Sequence, residues 1–158
     1  MLRSRSIASI IVLASSGMVL AGCGGGGSEP VSTAELVQKG DAICGKERTS
    51  FARIQGHPPP NASVAADQTD ELIRATESAS SQLRDLEPPE ELQASYDSYL
   101  ETRDRAAEQM KRGKDAAEDQ DSAAYGAAQA AVARDAPQRR KLAQALGFKV
   151  CSSNPGTA

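Results

Sequence analysis

The stretch LQASYDSYLETRDRAAEQMKRGKDAA, residues 92–117, carries the most regular pattern in the chain. Marked positions recur there in alternating steps of four and three, which is the spacing of one face of an α-helix. This stripe consists of Leu92, Tyr96, Tyr99, Arg103, Ala106, Met110, Gly113 and Ala117. The segment therefore predicts a long helix that turns one face inward, with an arginine on that face.

Three further segments carry a helical stripe of their own. The first begins at Ser32, and its inner positions are Leu36, Gly40, Ile43, Cys44, Glu47, Phe51 and Ile54. The second begins near Ser63, and its inner positions are Ala65, Thr69, Leu72, Thr76, Ala79, Leu83 and Leu86. The last follows Asp121, and its inner positions are Tyr125, Ala128, Val132, Ala136, Leu142 and Leu146. Pro137 is expected to kink this last helix.

Capping residues, prolines and a glycine mark the ends of these helices. Ser32 and Glu35 fit a capping box, Asp121 is the expected cap of the fourth helix, and Gly147 fits a left-handed helix stop. The breaks between helices are GHPPPN (56–61), EPPEE (87–91) and EDQD (118–121). Four amphipathic helices with short connections predict an all-α, up-down-up-down four-helix bundle. We place this bundle at residues 32–151 and a loose C-terminal tail at 152–158.

The first residues of the chain have the layout of a secretory signal peptide. Arg3 and Arg5 precede an apolar run, 7–21, that is shorter than the roughly 20 residues a membrane-spanning helix needs. The sequence LAGC at 20–23 resembles the lipobox of bacterial lipoproteins. The resemblance implies that diacylglycerol is attached to Cys23 and that residues 1–22 are then removed. The alternative is an ordinary signal peptide with a chance cysteine.

Acylation of Cys23 would anchor the protein by burying methylene groups in a membrane, each worth about 0.8 kcal/mol. The glycine-rich segment that follows cannot pack a core, so residues 23–31 are expected to form a flexible tether. We therefore expect an exported protein on the outer face of the bacterial cell membrane, or on an outer membrane if the cell has one.

The net charge of the chain is −3, and Arg3 and Arg5 of the signal segment leave with it, so the mature chain is more acidic still. A net acidic domain is a poor candidate for binding nucleic acid, which needs a concentrated basic face. The length suits one domain.

The remaining cysteines, Cys44 and Cys151, lie in a chain that we expect to be exported to an oxidising space. Small exported domains commonly carry disulfides, so we expect these two to be bridged. A four-residue tail after Gly147 spans at most about 14 Å, and it must therefore climb the bundle to reach Cys44. Two free thiols, or a metal-binding pair, are the alternative.

Three short motifs resemble those of uncharacterised small lipoproteins of actinobacteria. They are GDAIC (40–44), LEPPEEL with YDSYL (86–100) and ALGFKVC (145–151). Those proteins pair an early D-x-I-C helix with a late L-G-x-x-x-C tail. The resemblance supports the cysteine bridge and the exported location, and it implies no activity.

The sequence contains no catalytic, metal-binding or cofactor motif that we recognise. His57 is the single histidine and lies in a proline loop, without neighbouring ligands. The acids Asp115, Glu118, Asp119 and Asp121 lack the spacing of a calcium-binding EF-hand. The basic run 139–141 is interpreted as favourable charge in the last turns of the fourth helix, with contact to anionic headgroups as the alternative.

Polar residues on the inner stripes suggest one candidate site. Thr76, Arg103 and Asp135 fall at about the same height in the bundle, with Glu47 a turn away. We predict that Arg103 enters the bundle and pairs with Glu47 or Asp135 in a polar layer that fixes the helix register. Two alternatives remain: the guanidinium reaches out to water, or Arg103 and Glu47 line a small polar pocket beside Tyr96 and Tyr99.

These observations leave two classes of function. The first is a non-enzymatic, membrane-anchored module of the cell envelope that binds a protein, glycan or lipid partner, or that acts as a spacer. The second is an envelope enzyme with a site of carboxylates and tyrosines on the bundle. The sequence favours the first class, because it offers no recognisable nucleophile, metal set or cofactor loop.

Overall fold

The computed structural model describes residues 30–153, which form four α-helices and no β-strand. The helices are α1 (Thr33–Ile54), α2 (Ala62–Arg84), α3 (Glu90–Glu118) and α4 (Ser122–Ala145). The predicted all-α four-helix bundle is confirmed. Cys23, the signal segment 1–22 and most of the predicted tether lie outside the described residues. None of the described helices combines the length and the apolar character that crossing a membrane requires.

Three of the four helices begin at a side-chain cap. Ser32, Asn61 and Asp121 each accept, with a side-chain oxygen, the backbone N–H of the residue three positions further on. Such caps satisfy donors that have no partner within the first turn of a helix. The capping box predicted at α1 is half formed, because the carboxylate of Glu35 pairs with Lys39 at 2.7 Å.

The main core lies at the end of the bundle where α1 and α3 begin and where α2 and α4 finish. Its largest fully buried members are Leu36, Leu83, Tyr96, Tyr99, Leu146 and Phe148. The Tyr96 and Phe148 rings meet edge to face, with their centroids 6.4 Å apart. A second, smaller cluster at the opposite end consists of Ala65, Ala66 and Ala117, with Tyr125 packed against it. Bulky packing is therefore concentrated at one end of the molecule.

The inner stripes differ from the predicted ones at a few positions. Ile73 is buried where Leu72 was expected, and Leu72 is only half-buried. On α4 the buried residues are alanines, including Ala131 and Ala143, which allow α3 and α4 to pack closely. The helix continues through Pro137, which stands on its exposed side.

The chain after α4 reverses direction and packs along α1. Gly147 has a φ of +84°, and the N–H of Phe148 donates to the carbonyl of Ala143 at 3.0 Å, as in a Schellman helix stop. This geometry buries the Phe148 ring, which is 1% exposed, against α1 at Gly40.

Two further contacts hold this tail on α1. The carboxylate of Asp41 accepts the backbone N–H groups of Lys149, Val150 and Cys151 at 3.0, 2.8 and 3.3 Å. Cys44 and Cys151 are joined by a disulfide, with their Cα atoms 5.2 Å apart. The segments GDAIC and ALGFKVC, noted separately in the sequence, therefore contact each other in the structure.

The bundle is not closed on all sides. Each helix packs against the next one in the chain, but no Cα atom of α1 lies within 8 Å of a Cα atom of α4. The tail 148–153 joins these two helices at the end that holds the main core. Beyond the tail, towards the opposite end of the bundle, α1 and α4 stand apart.

The chain enters the bundle at the end that holds the main core. Val31, the last residue of the predicted tether, packs on the main core and donates its N–H to the carbonyl of Glu87 at 2.8 Å. The folded unit therefore begins one residue earlier than predicted, beside the link between α2 and α3.

Candidate functional site

A cleft of about 220 Å³ lies between α1 and α4, where the two helices stand apart. One wall is the second half of α1, the other is the middle of α4, and α3 forms the floor. The disulfide-bonded tail closes the cleft on the side of the main core, through Val150, Cys151 and Ser153. The cleft therefore lies between α1 and α4, which do not pack against each other there, and the tail that connects them closes one side of it.

Arg103 projects from α3 into the cleft and forms hydrogen bonds with three side chains. It donates to Glu47 Oε1 at 2.7 Å, to Ser80 Oγ at 3.0 Å and to the Tyr99 hydroxyl at 3.3 Å. The side chains of Arg103 and Glu47 are 6% and 14% exposed, so the ion pair is almost entirely removed from water. The structure thus pairs Arg103 with Glu47 and does not send its guanidinium out to solvent.

The protonation states of this cluster follow from its surroundings. Burial lowers the pKa of Arg103, but the Glu47 carboxylate and the hydrogen bonds to it and to Tyr99 outweigh that effect, and the pKa lies above its ordinary value. Burial also raises the pKa of the Tyr99 hydroxyl, against the opposing effect of Arg103. Near neutral pH Arg103 is therefore charged and the Tyr99 phenol is neutral.

A second arginine enters the same cleft from α4. Arg139 is half-buried, and its Nη1 atom is buried without any acceptor. Burial lowers the pKa of Arg139, and the positive charge of Arg103 lowers it further, yet an arginine remains charged at neutral pH. No carboxylate in the described part of the chain forms an ion pair with Arg139.

The buried polar side chains that lack a partner are gathered at this cleft. Among residues 30–153, the two side-chain atoms that are buried and have no hydrogen-bond partner are Thr76 Oγ1 and Arg139 Nη1. Both residues line the cleft. Buried polar atoms are nearly always paired in folded proteins, so two exceptions lining one cavity are unusual.

The charge of the cleft is opposite to that of the protein. Arg48, Arg103, Arg139 and Arg140 line it, whereas Glu47 is the only acid that does so. Arg48 donates to the neutral Ser153 Oγ at 2.9 Å, and no carboxylate among residues 30–153 forms an ion pair with it. The cleft is therefore a local concentration of positive charge on a net acidic chain.

The cleft also has apolar lining residues, which include Phe51, Ala52, Ala106, Met110 and Ala136. Phe51 and Met110, both predicted as inner residues, are only half-buried because they border this cleft. The site thus combines one charged side with one apolar side, which is the usual composition of a small-molecule pocket.

The structure does not bring all predicted site residues together. Asp135 is half-buried on α4 and forms no ion pair within the described part of the chain. The Tyr96 hydroxyl turns away from the cleft and donates to the carbonyl of Leu83 at 2.6 Å. His57 is exposed in the link between α1 and α2. Of the predicted polar layer, the structure assembles Glu47, Arg103 and Thr76, beside Tyr99.

The basic run 139–141 lies in the second-to-last turn of α4, within the last turns to which the sequence interpretation assigned it. The last turn of α4 contains no basic residue, and Arg139 and Arg140 line the cleft. A signal for Arg139 was present, because a step of three from Ala136 reaches it along the inner stripe. Ser80 was missed as a partner of Arg103, since its position on α2 offered no pattern of its own.

Comparisons of this chain with models of protein families, with curated proteins and with solved structures found no match.

Proposed function

We propose that the protein is a membrane-anchored, non-enzymatic binding module of the cell envelope, and that its binding site is the cleft between α1 and α4. Lipid on Cys23 holds the protein on the membrane, and the tether keeps the bundle off the surface. The observation that carries the proposal is the buried Nη1 atom of Arg139, which has no hydrogen-bond partner among residues 30–153 and lies in an open cleft.

The placement of the cleft suits a ligand that arrives from outside the membrane. The tether leads to the end of the bundle that holds the main core, near Val31. Glu47 lies about 20 Å further along α1, at about 1.5 Å of rise per residue. In the proposed orientation the cleft is thus held away from the headgroups, beyond the roughly 8–10 Å over which salt screens charge.

The enzymatic alternative finds less support at this site. Glu47 is committed to Arg103, and the raised pKa of Tyr99 keeps its hydroxyl protonated near neutral pH. A general base should titrate close to the working pH and should be free to accept a proton. Glu47 is not free, because it is paired with Arg103, and the raised pKa of the Tyr99 phenol lies far from neutral pH.

Native mass spectrometry of the full protein, purified from the envelope of a cell that exports it, tests the proposed function. We expect a non-covalent small-molecule adduct on the wild type. Ala136→Phe places a ring in the cleft and should abolish the adduct. Ala133→Phe, on the exposed side of the same helix, is the matched control and should retain it. An adduct that is absent from the wild type, or equally present in both variants, would overturn the proposal.

A further inference from the structure

We infer that the cleft binds an amphipathic organic carboxylate, and that Arg139 is the residue that recognises its charge. This inference rests on the proposed function and specifies the chemical class of the ligand. It follows from the charge balance, the free donors, the apolar lining and the volume of the cleft.

The charge balance identifies the ligand as an anion. Arg103 and Arg139 line the same cavity, and Glu47 forms its ion pair with Arg103. Glu47 and Asp135 favour the charged form of Arg139 without forming an ion pair with it among residues 30–153. The positive charge on Arg103 already disfavours a second positive charge on Arg139. Arg139 is half-buried and its Nη1 atom is buried without an acceptor among residues 30–153, so a negative group beside it would stabilise the arrangement more than a neutral group.

The free donors indicate where that negative group is held. Arg139 Nη1 is a buried donor without an acceptor, and the Thr76 hydroxyl is a second one on the same cavity. An arginine offers its N–H groups in a planar fork that matches the two oxygens of a carboxylate. The Arg103 guanidinium is occupied by Glu47, Ser80 and Tyr99, whereas Arg139 Nη1 is the buried guanidinium donor that has no partner among residues 30–153.

The rest of the cleft indicates what the anionic group is attached to. Phe51, Ala106, Met110 and Ala136 present an apolar lining, which an inorganic anion would leave without a partner. Burying a hydrocarbon body against this lining contributes roughly 25 cal/mol for each Å² removed from water. The ligand is therefore a carboxylate that carries an apolar chain or ring.

The volume limits the size of this ligand. At about 220 Å³, the cleft lies below the range of roughly 300–1,000 Å³ that is typical of sites for drug-sized molecules. It holds a short or medium-length hydrocarbon body and not a two-chain lipid. A short free carboxylate and the carboxyl end of a longer single-chain acid would both present a carboxylate attached to an apolar body. Binding measurements with ligands of different length distinguish these two sources.

Isothermal titration calorimetry on the full protein in phosphatidylcholine nanodiscs tests the inference, with empty nanodiscs as the background. Octanoate is the probe, octanamide is its uncharged equivalent, and inorganic phosphate supplies charge without an apolar body. We expect octanoate to bind at least about tenfold more tightly than octanamide, since hydrogen bonds to charged groups are the stronger ones. Phosphate should bind more weakly than octanoate. Hexadecanoate reveals whether a longer chain extends out of the cleft and binds more tightly.

Two variants then assign the recognition to Arg139. Arg139→Gln should weaken octanoate binding by about tenfold or more and should leave octanamide binding unchanged. Arg134→Gln removes an equal charge from an exposed position on the same helix and should leave octanoate binding within twofold. Circular dichroism establishes that each variant retains its helices. If Arg139→Gln does not fold, the comparison of octanoate with octanamide on the wild type still tests the need for charge.

The outcomes separate this inference from the proposed function. Equal binding of octanoate and octanamide, both lost in Ala136→Phe, would overturn the anion inference and leave the cleft as a binding site. Phosphate binding as tightly as octanoate would overturn the apolar part of the inference. If no probe binds the wild type, the carboxylate inference is wrong, whereas the fate of the proposed function is decided by the adduct in native mass spectrometry.

Discussion

At the scale of single residues, two glycines of α1 differ in the atoms that lie next to them. Gly40 is required by the tail, because a Cβ atom built on it would lie 2.4 Å from Cε1 of Phe148. No real Cβ atom approaches a ring so closely, and the ring is enclosed by the main core and cannot easily move. Gly45, one turn further along the same helix, has no atom within 4 Å of its equivalent position. The two glycines form a natural matched pair.

Gly40→Ala should destabilise the protein by about 1–3 kcal/mol, the usual cost of overpacking a core. Gly45→Ala should stabilise it by up to about 1 kcal/mol, because alanine favours a helix and nothing opposes its methyl group. Urea unfolding followed by circular dichroism measures both. Phe148→Leu combined with Gly40→Ala should recover part of the loss. A neutral effect of Gly40→Ala would contradict the close contact between the tail and α1.

The ion pair between Arg103 and Glu47 can be assessed in the same way. Breaking a buried pair from one side leaves an uncompensated charge and typically costs about 3–5 kcal/mol, whereas exposed pairs are worth under about 1 kcal/mol. We expect Arg103→Met and Glu47→Gln each to cause the larger loss, and the double variant to recover part of it. Thermal or urea unfolding measures all three. Small, additive effects would show that the pair does not stabilise the helix register.

At the scale of elements, the helices were predictable where the inner stripe was unambiguous. The stripe of α3 was predicted well because tyrosines, alanines and Arg103 recur strictly at steps of three and four. Leu72 was predicted to be the inner residue in place of Ile73, because these adjacent apolar residues on α2 fit the helical period almost equally well. The caps at Ser32 and Asp121 were predictable, since a cap depends on residues only three positions apart.

The tail and the cleft were less accessible to sequence reasoning. Asp41 holds three tail N–H groups that lie more than a hundred residues away along the chain, a contact that no local pattern reveals. The cleft exists because α1 and α4 stand apart. Helical periodicity predicts which face of each helix points inward, but it does not predict the distance between the inner faces of two helices. Arg139 appeared as a surface charge for that reason.

The disulfide should be the strongest single constraint on the tail. Its sequence separation is 107 residues, and a loop of this length corresponds to about 4 kcal/mol in the chain-entropy account of disulfides. Reduction should therefore lower the thermal midpoint substantially, although Asp41 and Phe148 still hold the tail. A variant with both Cys44→Ser and Cys151→Ser should melt like the reduced protein and should not respond to reductant. An identical midpoint before and after reduction of the wild type would contradict this role.

At the scale of the whole molecule, the uneven distribution of packing fits the proposed use. The large apolar side chains gather at the end where Val31 enters, and the cleft lies beyond them, towards the alanine-rich end. The firmly packed end would face the membrane and carry the tether, and the open part would face the surroundings. The tail connects the two regions, because it is buried in the main core at Phe148 and lines the cleft at Cys151.

The proposed anchoring makes a prediction for Cys23, the residue on which the proposed location of the protein depends. A serine cannot form the thioether, so Cys23→Ser should remove every acyl chain, each of which contributes about 0.8 kcal/mol of membrane affinity per buried methylene. We expect the variant to remain unprocessed, with residues 1–22 still attached, or to be released from the membrane fraction. Cell fractionation with intact mass measurement of the purified chain distinguishes these forms. Ser28→Ala, which changes the predicted tether but leaves the thiol, should be lipidated and membrane-bound like the wild type. A Cys23→Ser chain that is cleaved normally and still sediments with membranes would show that something other than lipid on Cys23 holds the protein there.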